Sequence, residues 1–171
     1  MTAFTLAHTA ISLLPVGFGV YALARRGRID PATRAGRWYV GTMLAGSVSG
    51  FGFLLTLGFT PGQVLGLVTI ALVAGGTWTA RGGRRPAGYT QAAALTTSFL
   101  LLTVFLTTET LKRFPLGQPF ASGPADPALI PLRVGLLVGY LALLARQLGQ
   151  VRAERVFETR VERFLSLARA A

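Results

Sequence analysis

Five stretches of the chain stay apolar for close to the roughly 20 residues that a helix needs to cross about 30 Å of hydrocarbon. They run over Phe4–Ala24, Trp38–Phe59, Gln63–Ala80, Tyr89–Thr108 and Leu129–Leu148. Unpaired backbone groups are too costly in lipid for open strands, and the two-residue alternation of a membrane barrel is absent, so each run predicts a helix. The predicted fold is all-α, an integral membrane bundle of five transmembrane helices over residues 1–149. A C-terminal cytoplasmic amphipathic helix follows over residues 150–171. In that tail Phe157, Val161, Phe164, Leu165 and Ala168 recur at helical spacing, while Arg155, Glu158, Glu162, Arg163 and Arg169 fall largely elsewhere. The expected role of this helix is to lie on the inner leaflet with Arg152, Arg155 and Arg163 toward anionic headgroups; a self-pairing coiled coil is the alternative.

The breaks between runs carry their own signals. Thr60-Pro61-Gly62 punctuates an apolar stretch too long for one helix and predicts a tight hairpin between spans two and three. From Glu109 to Ile130 the chain holds Pro115, Pro119, Pro124 and Pro127, with Pro131 nearby and Gly117 and Gly123 between, which rules out one continuous helix. The expectation is an ordered connector over the bundle mouth, with a lid or partner-binding loop as the second reading. Met1 to Leu6 carries no positive side chain ahead of the first run, so that run is expected to be a retained helix rather than a cleaved leader.

Composition sharpens this picture. With 51% hydrophobic and only 13% charged residues, the chain has far less charge than the quarter or so usual in soluble globules. The formal charge of +11 resides in clusters between apolar runs rather than on a polar face, which points to topology and not to a nucleic-acid partner. Arg25, Arg26, Arg28, Arg34 and Arg37 lie in the first loop, Arg81, Arg84 and Arg85 in the third, and Arg146, Arg152, Arg155, Arg160, Arg163 and Arg169 at or after the last span. Fourteen of the seventeen basic residues thus fall on one side, leaving Lys112, Arg113 and Arg133 on the other. The positive-inside bias places the basic side in the cytoplasm, with the N-terminus outside and the tail inside. There is no cysteine, which excludes disulfides, thiolate-held zinc and iron–sulfur clusters.

Candidate chemistry is sparse. Gly46 and Gly50 in span two and Gly135 and Gly139 in span five form GxxxG patterns, which let helices approach closely; both are expected to be intramolecular packing faces rather than dimer contacts. Thr96, Thr103, Thr107 and Thr110 share one face of span four, where back-bonding to their own helix is expected over a polar cavity. His8, the single histidine, lies near the outer end of span one, level with Glu109 and Arg133. These three ionisable residues are a candidate outer-side polar cluster, able in principle to relay a proton or hold an anionic headgroup. The plainer reading is an interfacial ion pair of Glu109 with Lys112, Arg113 or Arg133. No metal site is expected. A haem with two axial ligands is disfavoured because Met43 lies near the opposite end of the membrane from His8; a single-His haem stays compatible with the sequence. No Walker loop, HExxH or catalytic triad spacing is present, so an enzyme is the less favoured class.

The histidine in span one, the arginine-rich inner loop, and Thr33-Arg34-Ala35-Gly36-Arg37-Trp38-Tyr39-Val40 leading into a glycine-rich second span resemble the bacterial membrane proteins of domain of unknown function family 2306. Glu109-Thr110-Leu111-Lys112-Arg113-Phe114-Pro115 is similar to the same group, and the likeness covers roughly residues 5–115. Thr33 stands where that family has a histidine opening span two, and no histidine lies between Arg81 and Gln91. The resemblance implies fold and location, with His8 as the one polar position carried over. Taken together, the sequence leads to the expectation of a non-enzymatic protein of a bacterial inner (plasma) membrane. It would be an accessory subunit or a bundle binding lipid or a small molecule, with membrane lipids and a homo-oligomer or larger complex as partners. An oligomeric transporter or channel is the alternative, and a haem or redox carrier a weaker one.

Overall fold

The computed structural model describes residues 3–81 and 87–170; Arg84 and Arg85 of the third basic loop lie outside them. Helix α1 covers Ala3–Arg26 and stops where Gly27 adopts φ of +70°, a left-handed conformation that glycine takes without a Cβ clash. Helix α2, Arg34–Gly50, starts at Thr33, whose Oγ1 accepts from the Gly36 amide at 3.0 Å. Gly36 is itself required, because a Cβ there would lie 1.9 Å from the Asp30 carbonyl oxygen. Thr33 is therefore a helix cap.

The second apolar run is not one uninterrupted helix. After α2 it tightens into a 3₁₀ turn at Phe51–Phe53, resumes as the short α3, Leu54–Leu57, and ends at Gly58 with φ of +69°. Helix α4, Pro61–Arg81, begins with proline at its first position, where no amide is needed. Its start carries one half of a capping box: Gln63 Oε1 accepts the Thr60 amide at 2.7 Å and the Thr60 hydroxyl as well, while the Gln63 backbone amide donates to the Thr60 carbonyl. The punctuation at 60–62 is thus the start of a helix rather than the turn itself, which is made by Gly58. Helix α5 spans Ala87–Leu111. A 3₁₀ turn at Pro127–Leu129, capped by Asp126, leads into α6, Ile130–Ala170.

Among the described residues, five helical stretches are long and apolar enough to cross a membrane, the second of them running from α2 through the 3₁₀ turn into α3. The C-terminal region differs from expectation in one respect. The last span and the tail form a single 41-residue helix, about 60 Å long at 1.5 Å per residue, rather than two elements. Beyond Pro131 no proline interrupts it, and a change from apolar to charged side chains leaves the i to i−4 hydrogen-bond ladder intact.

Helices α1 and α2 pack along much of their length, α2 also meets α4, α4 meets α5, and α5 touches α1, so these four close on one another. Their core is Ala22, Ile29, Tyr39, Met43, Val73 and Leu95, toward the arginine-rich end. The Tyr39 phenol is fully buried and lies 2.8 Å from the Ser98 hydroxyl. Helix α6 stands outside this group against α5: only 6% of its most apolar window is buried, against 17–22% for the other four long helices. Leu13, Leu14, Leu67, Val68, Leu137 and Val138 are exposed, the surface that lipid tails would cover. Exposed Tyr21, Trp38 and Trp78 ring the arginine-rich end, matching the aromatic belts found where membrane meets water.

Candidate functional site

At the end opposite the arginines, the small residues of α2 let α1 approach. A Cβ on Gly46 would come 3.2 Å from Ser12 Oγ and 3.4 Å from Ser12 Cα, and one on Gly50 would come 3.6 Å from His8 Cε1. The approach brings His8 Nδ1 within 2.8 Å of Ser49 Oγ. Ser49 in turn donates to the Gly46 carbonyl at 2.9 Å. A hydroxyl has one proton, so with that proton on Gly46 the imidazole Nδ1 is the donor to Ser49. The Phe53 ring meets His8 edge-on at 5.0 Å between centroids, and Phe4 packs on Phe53 at the same separation. His8 is thereby a bonded element of the α1–α2 seam.

The three ionisable residues expected to meet are each engaged elsewhere. The Glu109 carboxylate takes Lys112 at 2.8 Å and Arg113 at 2.7 Å, both in the turn that follows its own helix. The Arg133 guanidinium donates to the Pro124 carbonyl and, at 3.4 Å, to Thr108 Oγ1, tying the long connector to α5 and α6. Its Nε is buried without a hydrogen-bond partner among the described residues. Among those residues, no hydrogen bond or ion pair joins His8, Glu109 and Arg133. Of the two sequence readings, the geometry matches the local pair of Glu109 with Lys112 and Arg113.

The connector itself is built. Ala121 donates to the Leu111 carbonyl and Phe120 to that of Phe114, while Ala121 and Leu129 are buried. Asp126 accepts the Ser122 amide and hydroxyl at 2.7 Å each and the Ala128 amide at 2.9 Å. These bonds to the charged form hold the Asp126 carboxyl below its ordinary range.

The arginine-rich end contains a polar junction that sequence reasoning missed. Gln147, fully buried, accepts from Thr96 at 2.7 Å and donates to the Gly27 carbonyl at 2.8 Å, joining α5, α6 and the end of α1. A glutamine inside an otherwise apolar run was the available signal, because its amide needs partners at low dielectric. Nearby, Arg28 meets Glu154 at 2.7 Å and the Arg155 guanidinium lies 5.1 Å over the Tyr89 ring. Arg26, Arg28, Asp30, Gln150, Ala153 and Glu154 line a shallow cleft between the first loop and α6. Of the three arginines expected at the inner leaflet, Arg155 is thus half-buried on the bundle, while Arg152 and Arg163 are exposed.

Two further expectations meet definite geometry. Thr103 and Thr107 donate to their own helix at Phe99 and Thr103, and Thr97 pairs with Tyr140 across to α6 at 2.8 Å. Met43 is buried in the core, about 10 Å along α2 from the Gly50 level where His8 sits. Among the described residues no group of three His, Cys, Asp or Glu side chains is placed to hold a metal ion.

The two GxxxG patterns have opposite environments. Gly46 and Gly50 face α1, whereas a Cβ on Gly135 or Gly139 would meet nothing within 4 Å. The second pattern is not an intramolecular packing face, because the bundle lies on the other side of α6. No family model matches the chain, and no curated protein or solved structure matches it.

Proposed function

We propose that this chain is a multi-pass protein of a bacterial inner membrane, N-terminus outside and basic tail in the cytoplasm, that serves as a non-catalytic accessory subunit. The carrying observation is a contrast in how polar and bare surfaces are used. Buried polar side chains hold helices together, as in Tyr39–Ser98, Thr96–Gln147 and Gln147–Gly27, while a Cβ on Gly135, Gly139 or Gly149 of α6 would meet nothing within 4 Å. Side chains engaged in this way are occupied with packing, which favours a structural role over catalysis.

The exposed tryptophans beside the arginine clusters support the orientation, since both features gather at a cytoplasmic membrane boundary. Arg152 and Arg163, with the cleft around Arg26, are the groups suited to anionic headgroups of the inner leaflet. The threonines of α5 bond to their own helix or to α6, which supports the accessory reading over an oligomeric transporter or channel.

Purification in mild detergent followed by native mass spectrometry and an absorption spectrum tests the proposal. The expected result is a mass above that of one bare chain, with retained lipid and no Soret band. A lone chain with neither lipid nor protein attached would overturn it.

A further inference from the structure

The cleft at the arginine-rich end, about 340 Å³ in volume, has two walls. One is the end of α1 with the loop that follows it, carrying Arg26, Arg28 and Asp30; the other is α6, carrying Gln150, Ala153 and Glu154. Both walls are fixed. Gln147 donates to the Gly27 carbonyl, Arg28 donates to both oxygens of Glu154 at 2.7 and 3.0 Å, and a Cβ at Gly27 would stand 3.3 Å from Gln150 Oε1. Thr33 donates its amide and its hydroxyl to the Asp30 carbonyl at 3.0 and 2.8 Å, and the neighbouring Ile29 is buried. The volume lies within the roughly 300–1,000 Å³ of small-molecule sites.

The formal charges of the lining cancel, Arg26 and Arg28 against Asp30 and Glu154. Arg28 and Glu154 satisfy each other, which leaves a cation at Arg26 and a carboxylate at Asp30 that form no ion pair among the described residues. Asp30 Oδ1 accepts the Ala32 amide at 2.9 Å and, at 3.5 Å, the Gln91 side chain. An anion alone would meet two carboxylates in this cleft, and a cation alone two guanidiniums. A group that carries both signs meets a partner for each. Depth narrows the choice: exposed Tyr21 of the aromatic ring stands five residues before Arg26, about 7.5 Å along α1. That places Arg26 in the headgroup layer, which extends about 5–7 Å beyond the hydrocarbon.

We propose that this cleft binds the zwitterionic headgroup of phosphatidylethanolamine, its phosphate on Arg26 and its ammonium on Asp30. The proposal rests on the membrane placement given above and names the lipid that the chain retains. A primary ammonium donates charge-assisted hydrogen bonds to a carboxylate. The quaternary ammonium of phosphatidylcholine has no N–H to donate and is held instead by aromatic rings, and among the described residues none lines the cleft. Phosphatidylglycerol carries the phosphate and leaves Asp30 without a cation. Exposed Arg152 and Arg163 suit such net-anionic lipids better than this cleft does.

The chain purified in mild detergent is mixed with phosphatidylethanolamine, phosphatidylcholine or phosphatidylglycerol of identical acyl chains, and bound lipid is counted by native mass spectrometry. Phosphatidylethanolamine is expected to be retained about tenfold over either of the others. Asp30→Asn keeps an acceptor for the Ala32 amide and removes the carboxylate charge, and is expected to bring phosphatidylethanolamine down to the phosphatidylcholine level. Ala153→Phe fills the cleft from the other wall without changing a charge and is expected to do the same. Circular dichroism shows which variants are folded, and either of the two decides the matter alone. Arg152→Gln, outside the cleft, is expected to leave the preference unchanged. Glycerophosphoethanolamine at equal concentration is expected not to displace the bound lipid; displacement overturns the lipid as the source of the headgroup. A preference that survives in a folded cleft variant, or strongest binding of phosphatidylglycerol, overturns the proposal. Lipid retained without headgroup preference overturns the cleft assignment and leaves the accessory reading standing; a chain that retains neither lipid nor partner overturns both.

Discussion

The two GxxxG patterns have the same spacing and opposite fates. In α2, Gly46 and Gly50 are filled by Ser12 and His8 of α1, and the close approach is what lets His8 reach Ser49. In α6, Gly135 and Gly139 open onto empty space. The motif reports that a backbone is approachable; the position of the helix in the fold decides who approaches. Helix α2 is flanked by α1 and α4, whereas α6 packs against α5 and turns its small residues away. A pattern left uncovered inside the chain is a candidate for coverage by another chain.

The largest expected effect separates the two motifs by stability. Gly46→Leu must displace Ser12, whose Cα stands 3.4 Å from where a Cβ would be; overpacking of this kind costs roughly 1–3 kcal/mol or more. Thermal unfolding followed by tryptophan fluorescence in mild detergent should show a clearly lowered midpoint, and wild-type behaviour would erase the contrast with α6. Next is Gln147→Leu, which strands the Thr96 hydroxyl and the Gly27 carbonyl. Leaving such groups unpaired costs about 1–3 kcal/mol, and faster hydrogen exchange around Gly27 should accompany the loss. An unchanged midpoint would show that α6 is held without this junction.

A smaller effect concerns the connector that delivers the chain into α6. The bonds from Ser122 and Ala128 lower the Asp126 pKa in the folded state. Their contribution is therefore present above the unfolded carboxyl pKa of about 3.9 and is lost as pH falls below it through the lower folded value. Protection of the Ser122 and Ala128 amides, relative to their intrinsic exchange at each pH, should fall over that acidic window, and Asp126→Asn should remove this change in protection. Smallest of all is Gly139→Leu on the isolated chain, expected to stay within about 0.5 kcal/mol of wild type in the same unfolding assay. A loss as large as that of Gly46→Leu would mean that the open face of α6 is packed within one chain after all.

Much of this fold was legible from hydropathy alone. Length and apolarity located all five runs, because a helix is the economical way to satisfy a backbone in lipid. What stayed hidden depended on neighbours. The 3₁₀ break at Phe51–Phe53 carries no proline, and the unbroken passage of α6 into the tail contradicts a change in side-chain character without contradicting any backbone rule. Gln147 was readable as a polar residue in an apolar run, but its two partners lie 51 and 120 positions away. Among the described residues the three outer ionisable residues share no bond, for a local reason: Glu109 has Lys112 and Arg113 within one turn, and nearby charges outcompete distant ones at the same depth.

The comparison of motifs presumes that α2 and α6 cross one membrane with the arginine-rich end in the cytoplasm. In the cysteine-free chain, Gly123→Cys marks the connector and Thr159→Cys marks the tail. Labelling of intact cells, stripped of any outer membrane, with a membrane-impermeant maleimide tests this directly. Gly123→Cys is expected to be labelled at once and Thr159→Cys only after the membrane is permeabilised. Labelling of both in intact cells, or the reverse order, would contradict it.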